Sequence, residues 1–554
     1  MRPGKELASF AVVALLAACA GPRQRSASAG AWLRAACDDT AVFAARASGA
    51  VTQNTPESMA RLWIEQCGLD AVVRLTTELV RFRTVSAEQS ARDGEAFVAM
   101  AGFLESWARD TGLSFRTVGA NDVWEVSLGS GRRTVGFVMH ADVVPAGDGF
   151  NAAGDGGLPP GWTQPPFDAR VVDGRLYGRG SEDDKGPVAA SLVVLAALKA
   201  FGYAPRGMLV SIMGTGEEHD WDGMVRYADS QPAATAMISV DASFPVVVAE
   251  SGFVVWRLGV ERHPSAGPTE RAAVVDVNGG NFLTQVPGEA TMRLQPAAGE
   301  TVDALLARAR TAAADEQSAR AAHGGSFRVS AEVGGDTVVV RALGKAVHSS
   351  TADDGHNALW ALASTAGRLD LEPSAETLIL RAIRERFDND LWGEKLGIAY
   401  EHDLMGRLLV VPTVLRSEPG LVKLSINMRR PAGKSNEEFV VALEEALKRM
   451  QADIDQRIHE VDERYVGDPA MASTDGPLVD TLMQVYREET GDDASKPIAI
   501  RGGTYARLFD GAVSFGPAMP NAVYRGHSPD EYIEVEVLHA LTRMLFEAAV
   551  RLDR

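Results

Sequence analysis

The sequence is short of basic residues: 55 Lys and Arg stand against 74 Asp and Glu, which leaves a net charge of −19. A protein that binds nucleic acid needs a basic face for the phosphates, so this deficit argues against nucleic acid as a partner. Long Gly/Ser or Gln/Asn tracts and internal repeats are absent as well. With 46% apolar and 23% charged residues, the chain is typical of a globular protein, and its 554 residues are too many for one hydrophobic core.

The apolar run at the N-terminus is too short to span a bilayer. It covers Leu7–Ala18, follows two basic residues, and ends in small residues before Cys19. This pattern resembles a bacterial lipoprotein signal peptide, which implies a signal over 1–18 and a lipid on Cys19. We therefore expect a tether and an N-terminal helix over 19–56, anchored in the cell envelope on the outer membrane and facing the periplasm. An ordinary secretory signal is the alternative.

Cysteine is scarce, with three in the chain. If Cys19 carries the lipid, Cys37 and Cys67 remain, and two cysteines outside the cytosol often form a disulfide. This bridge would connect the N-terminal segment to the first helix of the main body. The alternative is two buried free thiols.

The hydrophobic pattern predicts an α/β fold interrupted by an insertion. Between residues 57 and 254, short apolar strands alternate with helices, which predicts a mainly parallel sheet covered by helices. The pattern over 255–468 indicates antiparallel strands with helices, and the α/β pattern returns over 469–554, so we predict a two-part main domain around an inserted α+β domain. The predicted strands include Val135–Met139, Met208–Met213, Ala236–Val240 and Ala512–Phe515, and the predicted helices include Val188–Ala200, Asp303–Ala314, Asn436–Arg457 and Val535–Leu552.

Acidic residues and histidines follow several of these strands. They are His140 with Asp142, Asp183 in a Gly-rich turn, the adjacent Glu217 and Glu218, Asp241, and His527 near the C-terminus. Ligands of α/β sheets bind beyond the carboxyl ends of the strands. Carboxylates gathered there would repel one another unless cations neutralise them, and zinc accepts both imidazole nitrogen and carboxylate oxygen. The pattern therefore predicts a metal centre.

The same residues carry a resemblance to a known family. The set His140-x-Asp142, Gly-x-x-Asp183-x-Lys-Gly, Glu217-Glu218, Asp241 and His527 resembles the co-catalytic di-zinc exopeptidases, which include glutamate carboxypeptidases, aminoacylases and carnosinase-like dipeptidases. The stretches HADVVPAG, GRGSEDDKGP, DASFPVVVAESG and GGTYARL are similar to its bacterial monomeric dipeptidase branch. The resemblance makes the two predicted units a catalytic domain and a lid domain.

The resemblance implies a centre of two divalent ions, zinc in the first place, with manganese or cobalt as alternatives. Asp183 would bridge both ions. His140 and Asp241 would complete the first site, and Glu218 and His527 the second.

The resemblance also implies a reaction. The substrate would be a dipeptide or short peptide, and a hydroxide held by the two zinc ions would attack its amide carbon. Glu217 would be the general base that moves the proton to the leaving amine. Asp142 would orient His140, and the Asp183–Asp184 peptide bond would be cis.

The inserted domain adds further residues by the same resemblance. In GKAVHSSTADDGHNAL, His348 would reach over the site and stabilise the oxyanion. In SINMRRP, Arg429 would bind the C-terminal carboxylate of the substrate, with an ordinary salt bridge as the alternative. Backbone N–H groups of Gly502, Gly503 and Thr504 would approach the same carboxylate.

The length of the predicted lid resembles that of the branch that keeps its lid histidine within one chain. We therefore expect a monomer that closes over its substrate. Thr284 departs from this branch, which usually has an asparagine there in contact with the substrate, so the substrate preference of this chain stays open.

Two other functions stay open. One is a related hydrolase, either an N-acyl amino acid amidohydrolase or a metallocarboxypeptidase. The other is a peptide-binding envelope lipoprotein without catalysis, against which the intact set of histidines and acids argues. The sequence offers no Ser-His-Asp or HExxH signature as a rival centre, and GTGEEHD lacks the glycines and lysine of a phosphate loop.

Overall fold

In this computed structural model of the protein, residues 55–147, 158–262, 269–322 and 326–554 are described. The helices are α1 (Pro56–Val80), α2 (Glu95–Thr111), α3 (Lys185–Ala200), α4 (Asp222–Ser230), α5 (Val302–Ala322), α6 (Ala358–Ala366), α7 (Ala375–Arg386), α8 (Asn436–Asp453), α9 (Pro477–Thr490) and α10 (Val535–Leu552), with short 3-10 helices at Ser349–Asp354 and Tyr505–Leu508. The strands before the insertion are β1 (Ser114–Val118), β2 (Val123–Gly129), β3 (Arg133–His140), β4 (Arg170–Val172), β5 (Arg175–Tyr177), β6 (Met208–Gly214), β7 (Ala236–Ser239), β8 (Ala242–Ser243) and β9 (Val247–Glu250). The later strands are β10 (Gly252–Glu261), β11 (Ala273–Gly279), β12 (Glu289–Gln295), β13 (Arg328–Gly334), β14 (Thr337–Leu343), β15 (Glu401–His402), β16 (Gly406–Arg407), β17 (Leu409–Glu418), β18 (Leu421–Arg430), β19 (His459–Glu460), β20 (Tyr465–Val466), β21 (Ala470–Met471), β22 (Ile498–Ile500), β23 (Val513–Ser514), β24 (Pro517–Ala518) and β25 (Tyr532–Glu534).

The predicted signal, the tether, Cys19 and Cys37 lie outside the described residues. Cys67 is buried in α1 and is disulfide-bonded. Its pairing with Cys37 stays a prediction. Within the described ranges, no helix is both long and apolar enough to cross a membrane.

The first sheet contains nine strands within the described residues, in the order β1-β2-β6-β3-β7-β23-β9-β21, with β22 paired to β9. Pairing is parallel at the centre, among β6, β3, β7 and β23. On either side, β2 runs antiparallel to β6 and β9 runs antiparallel to β23. The predicted α/β class is confirmed, with parallel pairing at the centre of the sheet and at β22, and antiparallel pairs among the other outer strands.

Helices cover both faces of this sheet. Alternate residues of β3 and β6 belong to two separate clusters: Val135 and Phe137 join one with α1, α3, α9 and α10, whereas Val138 joins the other with α4. Successive residues of a strand point to opposite faces, so the two clusters lie on opposite sides of the sheet. The apolar helix α3 is buried from Lys185 to Leu198, which holds its N-terminus firmly at the end of the sheet.

The second sheet is antiparallel and, within the described residues, also has nine strands, in the order β13-β14-β12-β11-β17-β18-β10-β19 with β20 paired to β10. Its strands all come from residues 252–466. Helices α5, α6, α7 and α8 pack against it around a core of its own. The strand β10 thus starts before the predicted lid boundary at residue 255.

Two predicted helices end at other residues. The helix predicted to end at Ala314 continues as α5 to Ala322, because the Ala-rich segment between them contains no helix breaker. The helix predicted to end at Arg457 stops as α8 at Asp453. There the Asp455 carboxylate accepts a hydrogen bond from the Arg457 N–H at 2.9 Å, a local turn that competes with the helix.

Candidate metal and catalytic site

Three neighbouring strands of the first sheet end at the site. β3 ends at His140 and β6 at Gly214, and these two residues lie side by side in the parallel register. Asp241 follows shortly after β7, the other neighbour of β3. Parallel strands present their carboxyl ends at one edge, so the acids after Gly214, Glu217 and Glu218, reach the same place.

Asp183 arrives from the turn that precedes α3. The buried carboxylate of Glu531 accepts hydrogen bonds from three N–H groups of this turn, those of Gly180, Glu182 and Asp183, at 2.9, 3.0 and 3.1 Å. The peptide bond that follows Asp183 is cis, as the resemblance implies. Glu531 therefore holds the turn in place from a distant part of the chain.

His527 completes the set from the turn before β25, where its backbone has a φ of 65°. Its Nε2 lies 2.7 Å from Glu218 Oε1 and 3.2 Å from Asp183 Oδ2. On the other side, His140 Nε2 lies 2.7 Å from Asp183 Oδ1 and 3.9 Å from Asp241 Oδ1. The five residues expected to bind metal therefore lie together, and Asp183 faces one imidazole with each of its oxygens.

The donor set fits divalent cations. Ligand atoms come within 4.8 Å of one another in three groups: His140, Asp184 and Asp241; His140, Glu217 and Glu218; and Asp183, Glu218 and His527. Asp184 Oδ1 is buried and has no hydrogen-bond partner within the described ranges. A cation would relieve this crowding of buried oxygens.

The charges of the cluster point the same way. Burial raises the pKa of Glu217, Asp241 and Asp184, and neighbouring carboxylates raise it further. Burial alone would lower the pKa of His140 and His527, but the adjacent carboxylates outweigh it and raise both. The cluster therefore favours positive charge at its centre, which metal ions would supply.

Asp142 anchors the doubled glutamate. Its two carboxylate oxygens accept the N–H groups of Glu217 and Glu218, each at 3.0 Å, and one also accepts the Ser86 hydroxyl at 2.7 Å. The Asp142 carbonyl oxygen is 3.0 Å from His140 Nδ1, whereas its carboxylate is 3.6 Å away. The backbone of Asp142 is therefore the nearer partner of the His140 ring, and a donor at Nδ1 leaves Nε2 free as a ligand.

The two adjacent glutamates make different contacts. Glu218 bonds to His527, whereas the carboxylate of Glu217 has no hydrogen-bond partner in the part of the chain that the structure describes. Of the two, Glu218 is the one within hydrogen-bond distance of His527, although one carboxylate oxygen of each glutamate lies within 4.8 Å of a ring nitrogen of His140.

His348 comes to the site from the lid, directly before the 3-10 helix Ser349–Asp354. Its ring centroid is 6.4 Å from that of His527 in the same chain. Its Nδ1 accepts from the Ser350 N–H at 3.3 Å, which leaves the ring proton on Nε2. Burial lowers the pKa of His348 to about 3, and Arg429 adds to this effect, so the ring is a neutral donor. Thr284 lies next to it through its carbonyl oxygen, which accepts the Ser349 N–H at 2.7 Å.

Arg429 is buried without a carboxylate partner. Its guanidinium donates to three neutral oxygens, Asn427 Oδ1, Arg501 O and Ser349 Oγ, at 3.2, 3.3 and 3.1 Å, and it forms no ion pair within the described ranges. Burial lowers its pKa to about 10, and Arg507 adds to this effect. The alternative of an ordinary salt bridge is therefore not seen, and the buried charge is available to an anion.

The glycine-rich segment after β22 only partly matches its prediction. The N–H groups of Gly502 and Gly503 have no acceptor among the described residues. The Thr504 N–H differs from the prediction, because it donates to the buried carboxylate of Glu250 at 3.0 Å while the Thr504 hydroxyl donates to the same group at 2.6 Å. Thr504 thus holds the segment in place and has no amide to offer a substrate.

Arg501 connects the lid to the first sheet. It precedes Gly502, and its guanidinium donates to Ser350 O at 3.2 Å and to Asp353 at 3.1 Å, both in the lid. It also lies over the ring of Trp392, 5.5 Å from the centroid. The structure therefore shows the lid in contact with the catalytic domain.

Besides Asp184 and Glu531, two more residues near the predicted metal ligands were not predicted. The Tyr524 hydroxyl donates to Asp183 Oδ2, and the Glu182 carboxylate accepts two backbone N–H groups of the same turn. Both adjoin predicted ligands, Tyr524 three residues before His527 and Glu182 directly before Asp183. Their closeness in sequence to predicted ligands was the one indication of a role. It was not sufficient, because contacts within a turn depend on the path of the chain, which the sequence pattern does not define.

Comparisons with known proteins agree with this geometry. A family model described as Peptidase family M20/M25/M40 matches residues 136–551. "Putative dipeptidase YtjP" of Bacillus subtilis (strain 168) is 28% identical over 491 residues, which are 87% of this chain and 97% of the relative. The Beta-Ala-Xaa dipeptidase of Lactobacillus delbrueckii subsp. lactis is 28% identical over 464 residues, 82% of this chain and 89% of the relative.

The fold is also found among solved structures. The crystal structure of human carnosine dipeptidase 1 has a similar fold, with a TM-score of 0.51 and 17% sequence identity. The match covers 90% of this chain and 98% of the human chain. The family match covers well over half of the chain and includes every residue of the cluster described above. The chain therefore belongs to peptidase family M20/M25/M40, a family of metal-dependent peptidases.

Proposed function

We propose that the protein is a metal-dependent dipeptidase that hydrolyses dipeptides or short peptides with a free C-terminal carboxylate. The observation that carries this proposal is Asp183, whose two oxygens face His140 and His527, with His348 of the lid beside His527. Relatives named as dipeptidases support the substrate class.

Two divalent ions fit the residues present. His140, Asp183 and Asp241 would hold one, with Asp184 also close to His140 and Asp241, and Asp183, Glu218 and His527 would hold the other. Zinc is the first choice, with manganese or cobalt as alternatives. Such ions, when bound, polarise a carbonyl and make water more acidic.

Glu217 accepts the proton of the attacking water and returns it to the leaving amine. Its carboxylate has no hydrogen-bond partner within the described residues. Burial and then the neighbouring carboxylates raise its pKa, which suits a group that both takes and gives a proton. The Asp142 carboxylate accepts the backbone N–H of Glu217, so Glu217 is positioned through its backbone and its own carboxylate stays available.

The lid supplies substrate recognition. The neutral His348 ring offers its Nε2–H to the oxyanion that forms at the attacked carbonyl. Arg429, with the N–H groups of Gly502 and Gly503, binds the carboxylate at the end of the substrate. A substrate without that carboxylate leaves Arg429 buried and unpaired, which penalises its binding.

A substrate panel tests the proposal. The purified protein is assayed on dipeptides, tripeptides, C-terminally amidated dipeptides and N-acyl amino acids, before and after chelation and after zinc, manganese or cobalt is restored. We expect dipeptides to be cleaved fastest, amidated ones poorly, and activity to be lost on chelation. Each other outcome would replace the dipeptidase assignment. A preference for N-acyl amino acids would indicate an amidohydrolase, and release of single C-terminal residues from long peptides would indicate a carboxypeptidase. Absence of hydrolysis would indicate a peptide-binding protein.

We also propose that the protein is a lipid-anchored monomer in the cell envelope. Metabolic labelling with a lipid probe tests the anchor. The basic start, short apolar run and small residues before Cys19 support the anchor. The close approach of His348 and His527 within one chain supports a monomer, since no second copy is needed to bring the lid histidine to the site. A lipid probe should label the wild type and not Cys19→Ser, and activity per chain should not change with protein concentration.

A further inference from the structure

Tyr524 makes a direct contact with the residue at the centre of the cluster. Its hydroxyl donates to Asp183 Oδ2, the oxygen that also lies 3.2 Å from His527 Nε2. The Tyr524 ring is beside that same imidazole, with centroids 6.2 Å apart. One phenol therefore touches a carboxylate and an imidazole that come from opposite ends of the catalytic domain.

The turn that carries Tyr524 is built around its hydroxyl. A Cβ added at Gly526 would lie 2.2 Å from the Tyr524 hydroxyl oxygen, so this position has no room for a side chain while the phenol is in place. The N–H groups of Arg525 and Gly526 both donate to one oxygen of the buried Glu182, at 2.6 and 2.8 Å. Hydrogen bonds to Glu182 and Asp183 thus hold the turn in place directly before His527.

We propose that Tyr524 is a positioning residue of the metal centre, which fixes the Asp183 carboxylate and the His527 ring relative to each other. The inference rests on the proposed function. Asp183 can face both proposed metal positions only if its carboxylate does not rotate. The Tyr524 hydroxyl on Oδ2 restricts this rotation while Oδ1 faces His140. Partners of this kind, one shell outside a metal, typically change metal affinity or activity by about 10–100-fold.

Metal affinity is the decisive measurement. Full-length Tyr524→Phe and Gly526→Ala, freed of metal, are titrated with zinc against a fluorescent chelator, and the melting temperature of each apoprotein is recorded. We expect both variants to bind one of two zinc ions about 10-fold more weakly, with kcat reduced more than KM is raised. The apoprotein melting temperatures should remain close to that of the wild type.

Tyr203→Phe and Gly102→Ala are the matched controls. The Tyr203 hydroxyl donates to the Asp553 carboxylate at 2.9 Å, beyond the end of α3 that is opposite the cluster, and a Cβ at Gly102 meets nothing within 4 Å. If the wild type binds zinc and both test variants bind it equally well, this inference is overturned and the proposed function stands. If the wild type binds no divalent ion, both are overturned.

Discussion

Glu217 and Glu218 are adjacent, yet among the hydrogen bonds of the described residues it is Glu218 that pairs with an imidazole, that of His527. Glu217→Gln keeps the size of the side chain and removes its ability to accept a proton. We expect kcat/KM to fall by roughly 10²–10⁴-fold, the usual contribution of a general base. The measurement is steady-state hydrolysis of a dipeptide, together with the metal content of the variant.

The exposed Glu105 on α2 provides the matched control, since Glu105→Gln makes the same chemical change far from the site. Metal content should be unchanged in both variants, because Glu217 is assigned as a base and not as a ligand. A Glu217→Gln variant with wild-type activity would show that another group moves the proton.

His348 is the one lid residue whose ring approaches a proposed ligand, His527, among the ring contacts of the described residues. His348→Ala should lower kcat by about 10²–10³-fold, as removal of an oxyanion donor does in comparable sites. His459→Ala, in β19 of the lid, is the control. A variant that raises KM alone would assign His348 to substrate binding and not to the oxyanion.

At the scale of elements, the lid should respond to pH through His348. Burial of its ring lowers the pKa of His348 to about 3 from the ordinary 6.5, with further lowering by Arg429 and His527 and a smaller opposing effect from Asp183. The closed form therefore binds fewer protons than an open form with an exposed ring. The contribution of the neutral His348 ring to the stability of the closed form is fully present above pH 6.5. It is progressively lost as the pH falls from 6.5 towards 3.

Small-angle X-ray scattering at pH 7.5 and pH 5 measures this opening. We expect the radius of gyration of the wild type to be larger at pH 5, and that of His348→Ala to be the same at both values. An equal increase in both proteins would assign the opening to other groups.

Arg429 lies at the end of β18, where the second sheet meets the site. Arg429→Ala should raise KM for a dipeptide by 10-fold or more, because a hydrogen bond to a charged group contributes about 1.5–3 kcal/mol. Arg429→Lys should recover only part of this loss, since lysine keeps the charge without the planar pair of donors. An amidated dipeptide serves as the control, and an equal effect of Arg429→Ala on that substrate would contradict carboxylate recognition.

The strand ends made much of the site predictable from sequence. His140 and Asp241 follow buried apolar strands of one sheet, and this pattern alone brings such residues to a common edge. The function of Thr504 was not predictable in the same way. Its N–H is bonded to Glu250, a contact between positions far apart in the chain, and no local pattern indicates which buried carboxylate a given amide will meet. The antiparallel outer pairs of the first sheet, such as β2 with β6, were not predictable for the same reason, because their strands are far apart in the chain.

At the scale of the whole molecule, metal binding should stabilise the fold. The proposed ligands come from both parts of the catalytic domain, His140 to Asp241 before the insertion and His527 after it. An ion that binds only the folded chain stabilises it by about 2.7 kcal/mol at a concentration 100 times its Kd. We therefore expect the melting temperature to rise when zinc is added to the apoprotein.

Differential scanning calorimetry with and without zinc measures this shift. Asp183→Asn should reduce the shift, because the residue between the two imidazoles loses its charge. Equal melting temperatures for the apo and zinc-loaded wild type would contradict a metal centre that joins the two parts of the domain.

The position of the insertion also bears on biosynthesis. On the proposed ligand set, four ligands are translated before the second sheet, and His527 emerges only after it. The final helix α10, which packs against α1 and α3, emerges later still. A ribosome-bound chain consequently lacks one imidazole until the last segment has folded back onto the first, so hydrolytic activity begins only when translation of the domain is complete.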